Sequence, residues 1–352
     1  MMEFIFKILY CFIPISIGMH FFHIEPTWVF IAAGLGIIPL AKLMGEATEH
    51  LSAKTGPGIG GLLNATFGNA TEFIIAIIAL QKGLPDIVRA SITGSIIGNI
   101  LFVLGMAMIA GGYNRQEQKF DIRAAGAGIG MLVVAIVGIT IPTLFHYLVP
   151  KATVDHDHSI SLAVSVVFFI CYISYLVFSL KTHKDIFSGG HDEETSHEGG
   201  WTTKRSVITL VGATVAVALV SEVLVGSVEE AAKVWGLNDL FVGVFLLAVI
   251  GNAAEHSTAI LVAMKNKMEL AFQIAVGSSV QLALLIAPVL VFCGYFLGIP
   301  LDLVFEPLEA AILVSSVLIV WAVSMDGRTN WMEGVMLIGI YAISGVVFYY
   351  YP

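Results

Sequence analysis

Two six-residue stretches of the chain, GNATEF at residues 68–73 and GNAAEH at residues 251–256, are nearly identical, and each places a glutamate inside a long apolar run. A carboxylate in apolar surroundings is costly unless it faces a cavity, a proton or a counterion. Glu72 and Glu255 are therefore candidates for ion chemistry. When both are ionised, one divalent cation or two protons neutralise the pair.

The same stretches supply further oxygen atoms for a metal ion. An asparagine lies three residues, about one helical turn, before each glutamate and shares its face, so that its side-chain carbonyl can join the site: Asn69 and Asn252. Calcium accepts six to eight oxygen ligands in loose geometry, whereas magnesium demands tighter octahedral placement. The glycines Gly68 and Gly251 permit a break or kink that exposes backbone carbonyls. This pattern indicates a site for a hard divalent cation.

Other polar residues near the two stretches are candidates for a supporting role. His256 is a hydrogen-bonding partner of Glu255, a proton relay or a packed neutral histidine. The next apolar run of each half contains GSII at 94–97 or GSSVQ at 277–281, whose polar side chains either approach the glutamates or pack helices together: Ser95, Ser278 and Gln281.

Four more glutamates are candidates for the path by which cations reach the site, or for the aqueous ends of helices. Glu222 and Glu229 are seven residues apart and share a helix face. Glu230 and Glu46 invite the same two interpretations.

The elements that hold these residues are predicted to be membrane helices. Of the 352 residues, 57% are hydrophobic and 12% are charged, and the mean hydropathy is +0.90, which excludes an ordinary soluble domain. Apolar windows long enough to cross a bilayer recur along the chain. We expect an all-α polytopic membrane protein with eleven transmembrane helices, at about 4–22, 27–45, 57–83, 86–111, 122–145, 158–181, 205–233, 238–265, 268–298, 303–325 and 331–350.

The sequence contains an internal repeat. A shift of 183 residues aligns 68–95 with 251–278 without a gap, and nine of these 28 positions are identical. Each copy holds five predicted spans, and an odd number of crossings inverts the second copy relative to the first. This is the inverted-repeat plan of secondary transporters, whose substrates bind near the bilayer midplane. We expect an N-terminal transmembrane helix in 1–26, two inverted five-helix repeats in 27–181 and 205–352, and a cytoplasmic linker in 182–204.

The basic residues indicate the orientation. Of the 17 lysines and arginines, thirteen fall on one side of the predicted spans and four on the other, the four being Lys82, Arg89, Lys151 and Lys233. Because cytoplasmic loops carry the excess of basic residues, we expect a cytoplasmic N-terminus and a C-terminus on the opposite side.

The remaining titratable clusters favour simpler interpretations. The polar stretch at 181–205 is expected to be a solvated linker, with a weak regulatory cation site as the alternative, formed by Asp192, Glu193, Glu194 and Glu198. The DHDH stretch at 155–158 is expected to be an extracytoplasmic loop. The three cysteines are far apart and lack metal-binding spacing, so we expect neither a disulfide nor a zinc site.

GNATEF and GNAAEH, together with SEVLVGSVEEAA and GSSVQLALLIAP, resemble the signature repeats of the Ca²⁺/H⁺ antiporters of the cation/proton exchanger family, within the calcium/cation antiporter superfamily. The resemblance covers nearly the whole chain. It implies eleven helices, one plus two inverted fives, an acidic segment between the halves, and alternating access by sliding of helices around a fixed site. The family's paired cation and proton carboxylates match Glu72 and Glu255, and their motif neighbours match Asn69, Asn252 and His256. The linker departs from the family in being short with few acidic residues, which argues against regulation through it.

The expected function is therefore secondary active exchange of Ca²⁺ for H⁺, with no enzymatic activity and no cofactor. We expect calcium ions, protons and the lipid bilayer as partners and no nucleic acid, and leave a homo-oligomer open. A bacterial plasma membrane is the simplest location, with a vacuolar membrane as the alternative. The rivals are a channel, a Na⁺/Ca²⁺ exchanger, which needs a second acidic residue beside Glu72 or Glu255, and an intramembrane enzyme, for which no HExxH or GxSxG motif is present.

Overall fold

The structure, a computed structural model, describes residues 2–187 and 200–351. These residues are nearly all helical. The helices in chain order are α1 (Met2–Leu9), α2 (Phe12–Phe21), α3 (Pro26–Phe67), α4 (Ala70–Gln81), α5 (Pro85–Ile97), α6 (Leu104–Gly112), α7 (Ile122–Leu148), α8 (Val154–Val177), α9 (Lys184–Phe187), α10 (Thr203–Trp235), α11 (Asp239–Phe241), α12 (Ala248–Met264), α13 (Met268–Gln281), α14 (Ala287–Leu297), α15 (Pro307–Val323) and α16 (Trp331–Tyr349).

Short π-helical segments join or extend several of these helices. In the described part of the chain they are π1 (Gly98–Val103), π2 (Phe178–Thr182), π3 (Val242–Leu247) and π4 (Leu282–Ile286). Because π1, π3 and π4 each connect two α-helices without a turn, pairs such as α5 and α6 form one continuous rod.

Eight helical stretches of the described residues are long and apolar enough to cross a membrane, namely Pro26–Thr55, Pro85–Gly112, Ile122–Leu148, Val154–Thr182, Thr203–Trp235, Asp239–Met264, Met268–Leu297 and Trp331–Tyr349. Three shorter apolar helices accompany them, Ile5–Phe21, Ala70–Gln81 and Pro307–Val323. A bilayer core of about 30 Å needs about 20 apolar residues per helix, so the chain is a multi-pass membrane protein. The count of eleven spans and the inverted-repeat layout remain predictions.

The N-terminal segment is divided where the sequence predicts one span. Residues 4–22 form two helices, α1 and α2, separated by a turn at Tyr10 and Cys11. The turn is short enough for the Ile13 amide to bond the Tyr10 carbonyl at 3.3 Å. Both helices pack against α3.

Helix α3 also departs from the prediction. The spans expected at 27–45 and 57–83 are not separated by a non-helical segment, because α3 continues from Pro26 to Phe67. The helix bends sharply, since a Cβ atom added to Gly60 would lie 2.5 Å from the backbone oxygen of Ser52, eight residues earlier. The sequence TGPG at 55–58 supplies the proline and glycines at which helices bend.

The chain forms two compact units, and each draws on both sequence copies. The first unit contains Met1–Ser91, Ser196–Ala254 and Tyr351–Pro352. The second contains Ile92–Thr195 and Glu255–Tyr350. Helix α12 therefore contributes its first part to one unit and its remainder to the other.

The first unit is built on a long pairing of α3 with α10, to which α2 and α4 are added. Apolar residues at helical spacing form the buried faces: Ala33, Ile37 and Leu40 on α3, and Val217, Val220 and Leu224 on α10. This pairing gives α4 a fixed surface to pack against.

In the second unit α7 packs against α13 and α15, α8 packs against α14, and α6 packs against α16. The last pair approaches closely, because a Cβ atom on Gly334 would lie 2.5 Å from the backbone oxygen of Gly105. Small residues permit such contacts between membrane helices. Two short strands depart from the all-α expectation: β1 (Gln118–Lys119) and β2 (Arg328–Thr329) pair antiparallel.

The DHDH stretch is helical, so the prediction of a loop at 155–158 is wrong. Helix α8 begins at Val154, and the Thr153 hydroxyl accepts from the His156 amide. Acidic residues in a first helical turn are favoured by the helix dipole. Asp157 is 4% exposed, and its Oδ2 lies 2.7 Å from Nδ1 of His146. The linker acids Asp192, Glu193, Glu194 and Glu198 lie outside the described residues.

Candidate ion-binding site

The glutamate of the first copy lies directly after a break in the helix. Helix α3 ends at Phe67, Gly68 and Asn69 form a turn, and α4 begins at Ala70. Glu72 is thus in the first turn of α4, where the helix dipole favours a negative charge. Its side chain is 9% exposed, and Asn69 is fully buried. The break that Gly68 predicts is confirmed.

The glycine of the second copy has a different role. Helix α12 continues through Gly251 without a break, and a kink there stays a prediction. A Cβ atom on Gly251 would lie 3.2 Å from Cγ of Glu72 and 3.7 Å from its Oε1, and both residues belong to the first unit. The missing side chain therefore leaves room for the carboxylate of the other copy.

The asparagine that follows this glycine is held by its own helix. Asn252 is fully buried, and its Nδ2 donates to the Ala248 carbonyl at 2.9 Å. This bond fixes the plane of the amide, whose carbonyl oxygen is the atom suited to a hard cation. The first unit thus holds Glu72, Asn69, Gly251 and Asn252 of the predicted site.

The glutamate of the second copy belongs to the second unit. The Ser278 hydroxyl of α13 hydrogen-bonds the Glu255 carboxylate. Within the described ranges, Oε2 of Glu255 is buried and has no hydrogen-bond partner. Glu255 therefore has one hydrogen bond from the protein and one carboxylate oxygen that the protein leaves available.

A residue that the sequence did not single out joins this cluster. Asn99, in π1, is 1% exposed. Its Nδ2 donates to the Ser278 hydroxyl at 3.3 Å, and its Oδ1 lies 3.1 Å from Nε2 of His256. A signal was present in the sequence, because an asparagine four residues after Ser95 lies on the same helical face inside a long apolar run.

The two remaining polar candidates lie next to π-helical segments. Ser95 is buried on α5, one turn before Asn99, and Gln281 is the last residue of α13, before π4. A shift of 183 residues places π1 on 281–286, almost the range of π4, so the two copies share this feature. Single π-helical turns occur frequently at functional sites. The roles of Ser95 and Gln281 stay predictions.

Two of the four path glutamates have basic partners. Oε1 of Glu222 lies 2.8 Å from Nζ of Lys82. This ion pair links α10 to the end of α4 within the first unit. Oε1 of Glu46 lies 3.7 Å from Nζ of Lys42, one turn earlier on α3. The other two path residues, Glu229 and Glu230, are exposed.

Glu230 also lines a cavity of about 350 Å³ in the first unit. Its walls come from the end of α2, the start of α3 and α10, and they include His20, His23, Ser227 and Glu230. The cavity places Glu230 beside other polar side chains, those of His20, His23 and Ser227.

The donors that surround the predicted site are oxygen atoms of amides, hydroxyls and carboxylates. In residues 2–187 and 200–351, no group of three or more His, Cys, Asp or Glu side chains is arranged to hold a metal ion. Each glutamate is instead accompanied by neutral residues, Asn69 or Ser278, that belong to its own unit. Neutral oxygen ligands with few carboxylates suit a hard ion that must also be released.

A multi-pass helical protein with buried carboxylates, amides and hydroxyls belongs to the class of ion-transporting membrane proteins. The chain matches the sodium/calcium exchanger protein family over residues 25–181 and 205–350. It belongs to that family, and the family resemblance inferred from the motifs is confirmed.

Individual relatives are similar over nearly their whole length. The chain is 44% identical to the Ca(2+)/H(+) antiporter of Aphanothece halophytica, over 99% of this chain and 97% of that protein. It is 41% identical to the Ca(2+)/H(+) antiporter ChaA of Bacillus subtilis, over 96% of each. The solved structure of native YfkE has a TM-score of 0.85 and 39% identity and covers 98% of this chain and 99% of that one. These relatives are transporters, and the chain is a transport protein rather than an enzyme.

Proposed function

We propose that the chain exchanges Ca²⁺ for H⁺ across a membrane by alternating access, with Glu72 and Glu255 as the paired carboxylates of one midplane site. Asn69 and Asn252 supply further oxygen ligands, and Gly68, Gly251, His256, Ser95, Ser278 and Gln281 support them. The exchange itself is supported by the antiporters of Aphanothece halophytica and Bacillus subtilis, which share more than two fifths of their residues with the chain.

The observation that carries the site is the repetition of a glutamate inside a long apolar run. Each copy of the sequence holds one glutamate three residues after an asparagine. Glu72 is 9% exposed, and the Ser278 hydroxyl hydrogen-bonds the Glu255 carboxylate. A single acid in a membrane helix has many explanations, whereas two acids at equivalent positions indicate a shared task. Two carboxylates match the charge of one calcium ion.

Exchange follows from competition for the same oxygen atoms. A carboxylate that binds a proton is neutral and no longer attracts a cation, and metal binding requires the deprotonated ligand. Protons that arrive from one side therefore release calcium, and calcium that arrives from the other side expels protons. Either occupant restores neutrality, so the protein changes conformation without an uncompensated charge in the bilayer.

Cations reach this site along the acidic residues Glu46, Glu222, Glu229 and Glu230. The exposed position of Glu229 and Glu230, and the cavity beside Glu230, support this path. The distribution of lysines and arginines supports a cytoplasmic N-terminus. We propose a bacterial plasma membrane as the location, with the relative from Bacillus subtilis as support.

Calcium uptake into sealed vesicles tests the proposal. The purified chain is reconstituted in liposomes, a pH gradient is imposed, and calcium uptake and internal pH are recorded together. We expect uptake that needs the pH gradient, dissipates it and proceeds without sodium. Uptake that requires sodium and ignores the pH gradient would support the Na⁺/Ca²⁺ exchanger, and calcium flux that leaves the pH gradient intact would support a channel.

Matched variants separate the site from the rest of the chain. Glu72→Gln and Glu255→Gln keep the side-chain shape and remove the charge, so we expect both to abolish calcium-dependent proton movement. Glu117→Gln is the control, because Glu117 is exposed and its ion pair with Arg328 lies outside the predicted site. We expect that variant to transport like the parent protein.

A further inference from the structure

We propose that Asn99 is a positioning residue, which fixes the Ser278 hydroxyl on Glu255 so that the second carboxylate oxygen of Glu255 stays available to the transported cation. The inference rests on the proposed function, because it assigns Asn99 a task at the same site. This asparagine lies outside the aligned segments 68–95 and 251–278, and 152 residues before the stretch GNAAEH at residues 251–256.

The directions of the hydrogen bonds lead to this task. An amide NH₂ group only donates, so Oγ of Ser278 is the acceptor in its 3.3 Å bond with Nδ2 of Asn99. The hydroxyl hydrogen of Ser278 is then left for the Glu255 carboxylate, which only accepts when ionised. Asn99 thus determines which way the serine hydrogen points.

The amide oxygen of Asn99 is also held by a hydrogen bond. Its Oδ1 is an acceptor, so the Nε2 atom of His256, 3.1 Å away, carries the hydrogen in this bond. The three side chains that these hydrogen bonds connect are all buried, namely those of Asn99, Ser278 and His256. The amide can turn over only if His256 changes tautomer and the Ser278 hydroxyl donates to Asn99 instead of Glu255.

The neighbouring serine shows what happens without such a partner. A serine inside a helix commonly donates to the carbonyl four residues earlier. Ser279 does this, with its Oγ 2.8 Å from the Ala275 carbonyl. We infer that Ser278 would turn to its own helix in the same way if Asn99 did not hold its oxygen, and that the Glu255 carboxylate would lose its orienting bond.

Aromatic rings support the arrangement from the side. Phe102 lies in π1 with Asn99, and its ring centroid is 6.3 Å from that of His256 in an edge-on contact. The Tyr341 ring also packs against Phe102, with the ring centroids 5.2 Å apart. These contacts restrict His256, and supporting contacts of this kind are what hold ligands in productive geometry.

A double-mutant cycle on the KM for calcium tests the proposal. Asn99→Leu keeps a similar shape in the apolar run and removes both hydrogen bonds, and Ser278→Ala removes the hydroxyl. We expect each single variant to raise KM about five- to thirtyfold, the effect of losing a buried hydrogen bond worth about 1 to 2 kcal/mol, with a smaller change in kcat. The double variant should have the KM of Ser278→Ala alone, since Asn99 acts through that serine.

The control pair is Asn99→Leu with Ser279→Ala. Ser279 is suitable because its hydroxyl donates to the Ala275 carbonyl of its own helix. We expect the effects on KM in this pair to multiply. Multiplying effects in the Asn99 and Ser278 pair, or an unchanged KM in Asn99→Leu, would overturn the inference. Asn99→Ala serves as a second variant if Asn99→Leu does not fold. If the parent protein itself shows no coupled exchange of calcium and protons, that result contradicts the proposed function and not the role of Asn99.

Discussion

The two copies of the motif share a sequence pattern but differ in backbone structure. In the first copy the helix breaks at Gly68 and Asn69, and Glu72 lies at the start of a new helix. In the second copy α12 runs unbroken through Gly251 and Glu255. The first glutamate is therefore held next to a helix terminus, whereas the second is held by a hydrogen bond from another helix.

The difference shows that one residue type serves two purposes. Gly68 lies where one helix ends, whereas Gly251 leaves space for the side chain of Glu72. A helix terminus provides backbone groups and a dipole that a continuous helix lacks. The continuous copy instead relies on side chains, Ser278 and Asn99, for polar contacts.

The largest expected effect comes from removing either charge. We expect Glu72→Gln and Glu255→Gln each to lower kcat/KM for calcium at least roughly thirtyfold, because each leaves half of the pair to face a divalent ion. Initial rates of calcium uptake in proteoliposomes measure this effect. If only one of the two variants lost activity, the copies would differ in function as well as in structure.

A smaller effect is expected from filling the space beside Glu72. A Cβ atom at Gly251 would be 3.2 Å from Cγ of Glu72, so Gly251→Ala displaces the carboxylate by a few tenths of an ångström. We expect KM for calcium to rise roughly fivefold, the scale of modest overpacking. Gly277→Ala is the matched control, since nothing lies within 4 Å of a Cβ atom there. Equal KM values for both variants would remove the role assigned to Gly251.

Equivalent lysines in the two copies allow a third comparison. Lys82 neutralises Glu222, whereas its counterpart Lys265 forms no ion pair among the described residues. Lys82→Gln frees the carboxylate to attract cations, so we expect KM for calcium to fall by up to about threefold at low salt and less at high salt. Lys265→Gln should change nothing. A rise in KM for Lys82→Gln would contradict the placement of Glu222 on the cation path.

The smallest effect is expected far from both copies, at the start of α7. The Arg123 side chain hydrogen-bonds Asp121 and, with backbone amides of the first turn, lowers the pKa of that carboxyl group. Because the pKa is lower in the folded state, the carboxylate stabilises the fold above its unfolded pKa, and this is lost as pH falls below about 4. Asp121→Ala should cost about 1 kcal/mol near neutral pH.

Thermal unfolding in detergent at several pH values measures this effect. Asp121→Asn is the control, since asparagine caps a helix about as well as aspartate but does not titrate in this range. We expect its unfolding temperature to depend less on acid than that of the parent protein. Calcium transport should be unchanged in both variants.

Much of the helical architecture is predictable because the membrane requires it. The length of the apolar stretches alone predicts two of the spans to within a few residues of the helices observed, Ile122–Leu148 and Trp331–Tyr349. Glycine and asparagine are poor helix formers, so the motif permits the break at Gly68, but the same pair stays helical at Gly251 and Asn252. The local amino-acid composition is therefore enough to predict where these membrane helices lie.

Features that depend on contacts between distant residues are not predictable from one copy of a motif. Gly251 has the motif of Gly68 but lies inside a continuous helix, and only the contact with Glu72 shows that its missing side chain leaves room for that carboxylate. Asn99 reads as one polar residue in an apolar run until α13 brings Ser278 to it. The bend in α3 between Ser52 and Gly60 likewise keeps a helix where turn residues predict an interruption.

Proton release on calcium binding tests the central claim most directly. Calcium is added to the purified protein in weakly buffered detergent solution, and the pH change is compared with that of Glu72→Gln and Glu255→Gln. Because metal and protons compete for the same carboxylates, the parent protein should release protons on binding calcium, and neither variant should match it. Undiminished proton release and calcium binding in both variants would contradict the account.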